Sequence, residues 1–191
     1  MPMLNVGSKA PDFSLKASDG KIYSLKKLKG KTVVLYFYPK DDTPGCTLES
    51  CGFRDRNAEF IRSNAIVLGI SRDDHKSHVK FSQKYRLNFP LLTDESGKVS
   101  KAYGVWREKN FLGIKSMGIV RSTFIINENG LLEAIFDKVN PIGHANSVLS
   151  TLRLLRAKKE NFGVLHLADK KYEFKSKAVK KANKKKSKNK K

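Results

Sequence analysis

Short unbroken apolar runs alternate with longer mixed segments through the first four fifths of the chain, which predicts buried strands joined by helices. Val33-Val34-Leu35-Tyr36-Phe37-Tyr38 is the strongest run. It predicts a central strand over 31–38, stopped by Pro39. A helix is expected over 44–62, with Thr43 as its cap and Pro44 in its first turn. Ala65-Ile66-Val67-Leu68-Gly69-Ile70 reads as a second buried strand, and Asp74 opens a helix running towards Tyr85. Leu91-Leu92 marks a short strand, and 98–103 a brief helix. Two hairpins follow from turn dipeptides. Asp19-Gly20 separates 13–15 from 22–25, and Asn129-Gly130 separates 122–126 from 131–136. The last helix, about 145–157, places Val148, Leu149, Leu152 and Leu155 towards a core, with Leu154 a further candidate. Strand, helix, strand, helix, then a hairpin and terminal helix give a mixed α/β sandwich.

Charge divides the chain differently. The formal net charge is +21, yet residues 175–191 hold ten lysines and no acidic residue. Nothing there can bury a face, so this stretch is expected to stay hydrated and mobile. It reads as a solubilising tail, or as a nonspecific polyanion contact, nucleic acid included; no base-reading motif sharpens that. Residues 161–174 carry Val164, Leu165, Leu167, Tyr172 and Phe174, too apolar for a linker. The expected organisation is a body over 1–157, an extension over 158–174 packed on it, and a free tail over 175–191. The first residues show neither a signal peptide nor a membrane span, which favours an intracellular protein, with a nuclear address open if the source is eukaryotic.

The chain has two cysteines, Cys46 and Cys51, in Thr43-Pro44-Gly45-Cys46-Thr47-Leu48-Glu49-Ser50-Cys51. With Thr43 as cap, Cys46 falls in the first helical turn. Free amides and the positive end of the helix favour a thiolate there. Gly45 permits close backbone approach, and the Thr43 hydroxyl can donate to an incoming oxygen and accept from a backbone amide. Cys51 lies about 140 degrees further round an ideal helix, with the two Cα atoms roughly 8.7 Å apart. A disulfide needs about 4.4 to 6.8 Å, so bonding the pair would require local unwinding. Alternatives stay open at this point. Either cysteine can be a buried structural thiol, and Cys46, Cys51, His75 and His78 form a conceivable zinc set. The Cys-x4-Cys spacing is looser than a zinc knuckle, and the body needs no metal for its core. Neither metal nor cofactor is expected. His75 and His78 read as solvent-facing residues near a helix start, His144 as a neighbour of the last helix, and His166 as part of the extension.

The wider set of motifs resembles the peroxiredoxins, specifically the bacterioferritin-comigratory protein or peroxiredoxin Q class. Pro39-x3-Thr43-x2-Cys46 matches the peroxidatic motif, and the nine residues from Thr43 to Cys51 match the class with both thiols on one helix. The likeness continues through Phe53-Arg54-Asp55, Gly104-Val105-Trp106, Met117-Gly118-Ile119 and Arg121-Ser122-Thr123-Phe124-Ile125-Ile126, and covers about residues 3–157. It implies a thioredoxin-like fold with a central mixed sheet flanked by helices, and reduction of hydrogen peroxide or organic hydroperoxides. It further implies that Cys46 attacks the peroxide and becomes a sulfenic acid. Cys51 would then condense with it to an intramolecular disulfide, and thioredoxin or a similar dithiol would restore both thiols. Thr43 and Arg121 would hold the peroxide oxygens, with Pro39 and Gly45 shaping the site and Glu49 orienting the polar network. Taken alone, Arg121 reads as a surface cation at a strand edge; the whole segment match gives it its role. Members of this class are often monomers, which is the expectation here. The lysine-rich extension departs from the family pattern. The rival readings are a disulfide reductase, disfavoured because its usual signature is Cys-x-x-Cys, and a nucleic-acid- or polyanion-associated protein acting through the tail.

Overall fold

The computed structural model of the chain describes residues 4–111 and 114–160; the extension from 161 onwards, His166 and the lysine tail included, lies outside the described residues. Nine strands and four α-helices are present among them: β1 (Ser14–Lys16), β2 (Ile22–Ser24), β3 (Thr32–Phe37), α1 (Pro44–Arg62), β4 (Ala65–Ser71), α2 (His75–Lys84), β5 (Leu91–Thr93), α3 (Lys98–Ala102), β6 (Trp106–Phe111), β7 (Ile114–Ile119), β8 (Ser122–Ile126), β9 (Leu132–Phe136) and α4 (144–160). No described helix is long and apolar enough to cross a membrane. The central sheet has the order β5-β4-β3-β8-β9. The β3 strand pairs in parallel with β4 and antiparallel with β8, so Leu35 lies between Leu68 and Phe124. The parallel pairs need crossovers, supplied by α1 and α2, whereas β8 and β9 need only the Asn129-Gly130 turn, with Gly130 at φ +81°.

All six residues of β3 are buried because both faces of the sheet are covered, which is why its sequence shows no alternation. Side chains still alternate in space. Val33, Leu35 and Phe37 join Phe13, Leu68, Tyr103, Phe124 and Ile126 in one apolar cluster. On the opposite face Tyr36 stacks on Phe53 of α1, with ring centroids 4.7 Å apart, and its hydroxyl lies 2.9 Å from Ser50 Oγ. Gly69 leaves room for that tyrosine: a Cβ there would sit 2.8 Å from the Tyr36 ring. The α1 helix is therefore clamped to the central strand directly beneath the segment that bears both cysteines.

Residue 154 departs from the expected core face. Val148, Leu149 and Leu152 are buried, but Leu154 is 65% exposed, one helical step off the inward stripe. The β6–β7 hairpin has no counterpart in the sequence reading. Its first strand, Trp-Arg-Glu-Lys-Asn-Phe, is too polar to announce a strand, and its pairing makes a separate two-stranded sheet.

The second departure is His78. The sequence suggests a solvent-facing residue, yet it is fully buried, with Nδ1 2.8 Å from Asp41 Oδ2 and Nε2 3.2 Å from the Leu92 carbonyl. Asp41 also accepts hydrogen bonds from the Tyr38 hydroxyl at 2.7 Å and the Ser77 hydroxyl at 2.8 Å, and its own N–H donates to Asp73. Next to it Asp42 takes a left-handed φ of 56° and accepts from Lys84 and Tyr85. These two aspartates fix the turn between β3 and α1 to α2. Removing the Asp41 carboxylate would strand two buried donors, on Tyr38 and His78, and the half-buried Ser77 hydroxyl, a buried one costing about 1–3 kcal/mol when unsatisfied. Asp41→Ala is therefore expected to lower unfolding free energy by about 3–5 kcal/mol in urea titrations. A loss below about 1 kcal/mol would show that the turn does not rest on this carboxylate.

Candidate active site

The first turn of α1 is built as the sequence predicts, with one difference. Thr43 is the cap by backbone geometry (φ −92°, ψ 151°), and its carbonyl accepts from the Thr47 N–H at 2.8 Å. Its hydroxyl makes no cap bond and instead donates to the Lys40 carbonyl at 3.1 Å. That leaves the oxygen lone pairs free to accept. Pro39 is exposed at the end of β3, where it interrupts the sheet ladder.

The Cys46 side chain faces inward at 1% exposure. Arg121, in the connection between β7 and β8, sends Nη2 to within 3.3 Å of Cys46 Sγ. Its other terminal nitrogen, Nη1, donates to Glu49 Oε2. Glu49 lies three residues after Cys46 on α1, so helical spacing alone puts carboxylate and sulfur on one face. Gly45 keeps the guanidinium's path open: a Cβ there would stand 3.4 Å from Arg121 Nη2 and 3.6 Å from Pro141. Thus Cys46, Arg121, Glu49 and Gly45 are brought together, with Thr43 about one turn earlier at the start of α1. Cys51 is partly buried on the same unbroken helix, and the two sulfurs are not bonded to each other.

Behind Glu49 stands His144, 5% exposed at the start of α4. Its Nε2 is 2.8 Å from Thr123 Oγ1 and 4.0 Å from Glu49 Oε1, an oxygen with no hydrogen bond of its own. Phe53 and Phe136 present their rings edge-on or face-on to the imidazole at near right angles. Burial pushes Glu49 up to about 7, although Arg121 pulls the other way. Burial, with help from the Arg121 charge, pushes His144 down to about 4. For Arg121, burial works against its charge, but Glu49 and the sulfur outweigh it and hold the guanidinium above its ordinary value.

This arrangement offers a fixed cation to a sulfur at the base of a helix, which suits a nucleophile whose leaving group gains negative charge. Four participants escaped the sequence reading. Asp41 and His78 support the turn, His144 stands behind Glu49, and Lys109 of β6 lies across Gly118. The His78, Phe81 and Tyr85 spacing on α2 carried a signal, since a stripe at 3 and 4 residues marks an inward face. Lys109 carried none. The described residues contain no group of three or more metal-binding side chains, and His78 is engaged with Asp41 and the Leu92 carbonyl. A cleft of about 710 Å³ lined by Lys9, Lys26, Lys29, Lys31 and the 127–130 turn contains none of the candidate residues.

The family model described as AhpC/TSA matches residues 6–135. A putative peroxiredoxin bcp of Coxiella burnetii is 50% identical over 149 residues, covering 78% of this chain and 99% of that protein. Peroxiredoxin Bcp of Bacillus subtilis is 44% identical, covering 78% and 96%. Among solved structures, the bacterioferritin comigratory protein of Xanthomonas campestris, described for alkyl peroxide reduction, superposes with a TM-score of 0.73 at 39% identity, covering 79% of this chain and 96% of that one. A Xylella fastidiosa PrxQ mutant gives a TM-score of 0.77 at 34% identity, covering 82% and 99%. Relatives that align over nearly their whole length, on a fold whose one inward-facing thiol meets an arginine, admit a single assignment: the chain belongs to the AhpC/TSA family, as a peroxiredoxin of the Bcp class, and is a thiol peroxidase.

Proposed function

We propose that Cys46 is the attacking thiol and Cys51 the resolving one, acting on hydrogen peroxide and organic hydroperoxides, alkyl hydroperoxides included. The observation that carries this reading is the 3.3 Å approach of Arg121 Nη2 to Cys46 Sγ. The Cys46 thiolate displaces at the terminal peroxide oxygen. A sulfur–oxygen bond forms as the oxygen–oxygen bond breaks, and the departing alkoxide takes up a proton to leave as alcohol or water. Arg121 faces the negative charge shared by sulfur and leaving oxygen, Glu49 holds the guanidinium in that direction, and Thr43 accepts from the peroxide O–H. Pro39 and Gly45 act by shape, ending the strand and clearing the arginine's path.

The Cys46 sulfenic acid then condenses with the Cys51 thiol, giving a disulfide and one water. On an intact α1 the two Cα atoms stand roughly 8.7 Å apart, so this step requires the first turns to unwind. Unwinding frees Glu49 from Arg121 and exposes the disulfide to a dithiol donor of the thioredoxin type. The need for a dithiol donor supports a reducing, intracellular setting, and a monomer stays the expected state. The body over 1–157 carries this chemistry in full.

Cys46→Ser is expected to reduce peroxide consumption, coupled to thioredoxin, thioredoxin reductase and NADPH, to background. Cys51→Ser should consume one equivalent and then stop, with a sulfenic acid trapped by dimedone at Cys46. Full steady-state turnover in either variant would overturn its assigned role. Arg121→Met should slow Cys46 oxidation about 10²–10³-fold, read by rapid quench and mass spectrometry.

The two buried groups behind the site give stability opposite pH dependences. His144 is held near 4 against an ordinary 6.5, so between those values the unfolded chain takes up a proton that the fold refuses. Its contribution to stability is full above 6.5 and is lost as pH falls towards 4. Glu49, raised from 4.5 to about 7, takes up its proton more readily in the fold and favours it at low pH, a gain lost as pH rises through that interval. Comparing wild type with His144→Gln isolates the histidine. The difference in unfolding free energy should move against the wild type by about 2–3 kcal/mol from pH 7 to pH 4. A constant difference across that range would refute the buried neutral histidine.

A further inference from the structure

We propose that Lys109 is a specificity-determining residue of the peroxide site: its ammonium adds a second positive charge beside Arg121 and favours hydroperoxides whose O–O bond adjoins an anionic group. This rests on the reading of Cys46 as the attacking thiol. The placement follows from the β6–β7 hairpin, where Lys109 opposes Ser116 and Arg107 opposes Gly118. Opposed residues share a face, so Lys109 and Gly118 are diagonal neighbours on one side of the ribbon. The lysine stem lies across the glycine. A Cβ at position 118 would stand 3.2 Å from Lys109 Cε, 3.3 Å from Nζ and 3.4 Å from Cδ. Arg121 follows Gly118 by three residues, so the ammonium is held close to the chain that delivers the guanidinium.

The hairpin is anchored at its base. Arg107 Nη1 donates to Asp137 Oδ2 at 2.9 Å, Asp137 Oδ1 accepts from the Ser122 hydroxyl at 3.1 Å, and the Val120 N–H donates to the Val105 carbonyl at 2.8 Å. Lys109 is half-buried and has no acidic partner among the described residues, whereas Lys115 on the same hairpin lies 3.2 Å from Glu108. Burial and the Arg121 charge both work against its proton, and the Cys46 sulfur is the group that works for it. A partly desolvated cation set beside a like charge is unfavourable until an anion arrives. On this proposal that anion is one bound at the sulfur. Peroxymonosulfate is a suitable probe: the sulfur takes its terminal oxygen, the O–O bond breaks, and sulfate leaves.

The test uses the full reduced chain and follows Cys46 by quenched mass spectrometry, with paired reagents that differ in charge. Iodoacetate against iodoacetamide probes the field without peroxide chemistry, and peroxymonosulfate against hydrogen peroxide probes it with that chemistry. Lys109→Met should lower both anionic-to-neutral rate ratios about fivefold to tenfold, and Lys109→Arg should restore them. Gly118→Ala, which pushes the lysine aside, should lower them while circular dichroism stays native. Lys115→Met should leave them near wild type. Unchanged ratios in Lys109→Met, or an equal drop in Lys115→Met, would overturn the proposal in favour of the general basic field of the chain. If neither peroxide oxidises Cys46 while the alkylation ratio falls, the peroxidase roles fail and the electrostatic role of Lys109 stands.

Discussion

The site depends on one guanidinium that serves two partners. Arg121 donates to Glu49 with one terminal nitrogen and faces the Cys46 sulfur with the other. A planar fork does this with two separate terminal nitrogens whose donors point in fixed directions, whereas a lysine ammonium has three donors but presents them from one freely rotating point. Both partners come from α1, three residues apart, whereas the arginine comes from the connection between β7 and β8. The contact therefore locks helix to sheet at the point of chemistry. A buried carboxylate such as Glu49 is costly on its own, and the pair with Arg121 offsets that cost only while the helix is intact.

From this follows a division of labour within α1. Its middle is clamped to β3 by Phe53 on Tyr36 and by Ser50 on the same tyrosine, both in fully buried surroundings. Its first turn is held by few groups: a capping backbone, a threonine that spends its hydroxyl on Lys40, and the Glu49 contact. Unwinding of the first turns is thus compatible with a core that stays put. The turn before the helix is the opposite case. Asp41 and Asp42 tie it to α2 through buried and half-exposed partners, so the N-terminal end of any unwound segment stays fixed while the helix reorganises.

Much of this was legible in the sequence where one signal dominated. The β3 run, the Pro44 start of α1 and the Asn129-Gly130 turn each had a single physical cause, and each lies where the residues suggested. The Thr43–Cys51 segment announced its chemistry through spacing on one helix. What stayed hidden depended on contacts between distant elements. His78 looked like a polar helix-start residue because its partner, Asp41, is 37 positions away. The β6–β7 hairpin was hidden because a half-solvated ribbon needs no apolar strand, and whether a further candidate such as Leu154 is buried depends on contacts that helical spacing does not fix.

Counting charge around the sulfur shows why the site asks for an anion. Arg121 and Lys109 supply two positive charges. Glu49 opposes them incompletely, since burial pushes its carboxyl up towards the neutral form. His144 adds nothing, because burial keeps it uncharged there. The balance is an excess of positive potential beside a buried sulfur, where Coulomb interactions are several times stronger than at the surface. Negative charge on Cys46, and the charge that passes to the leaving oxygen as the O–O bond lengthens, is what this excess is shaped to receive. A resting thiol with a neutral peroxide gains little from it. The protein therefore stabilises the reacting state more than the bound state, and that differential is the form in which electrostatics speeds a displacement.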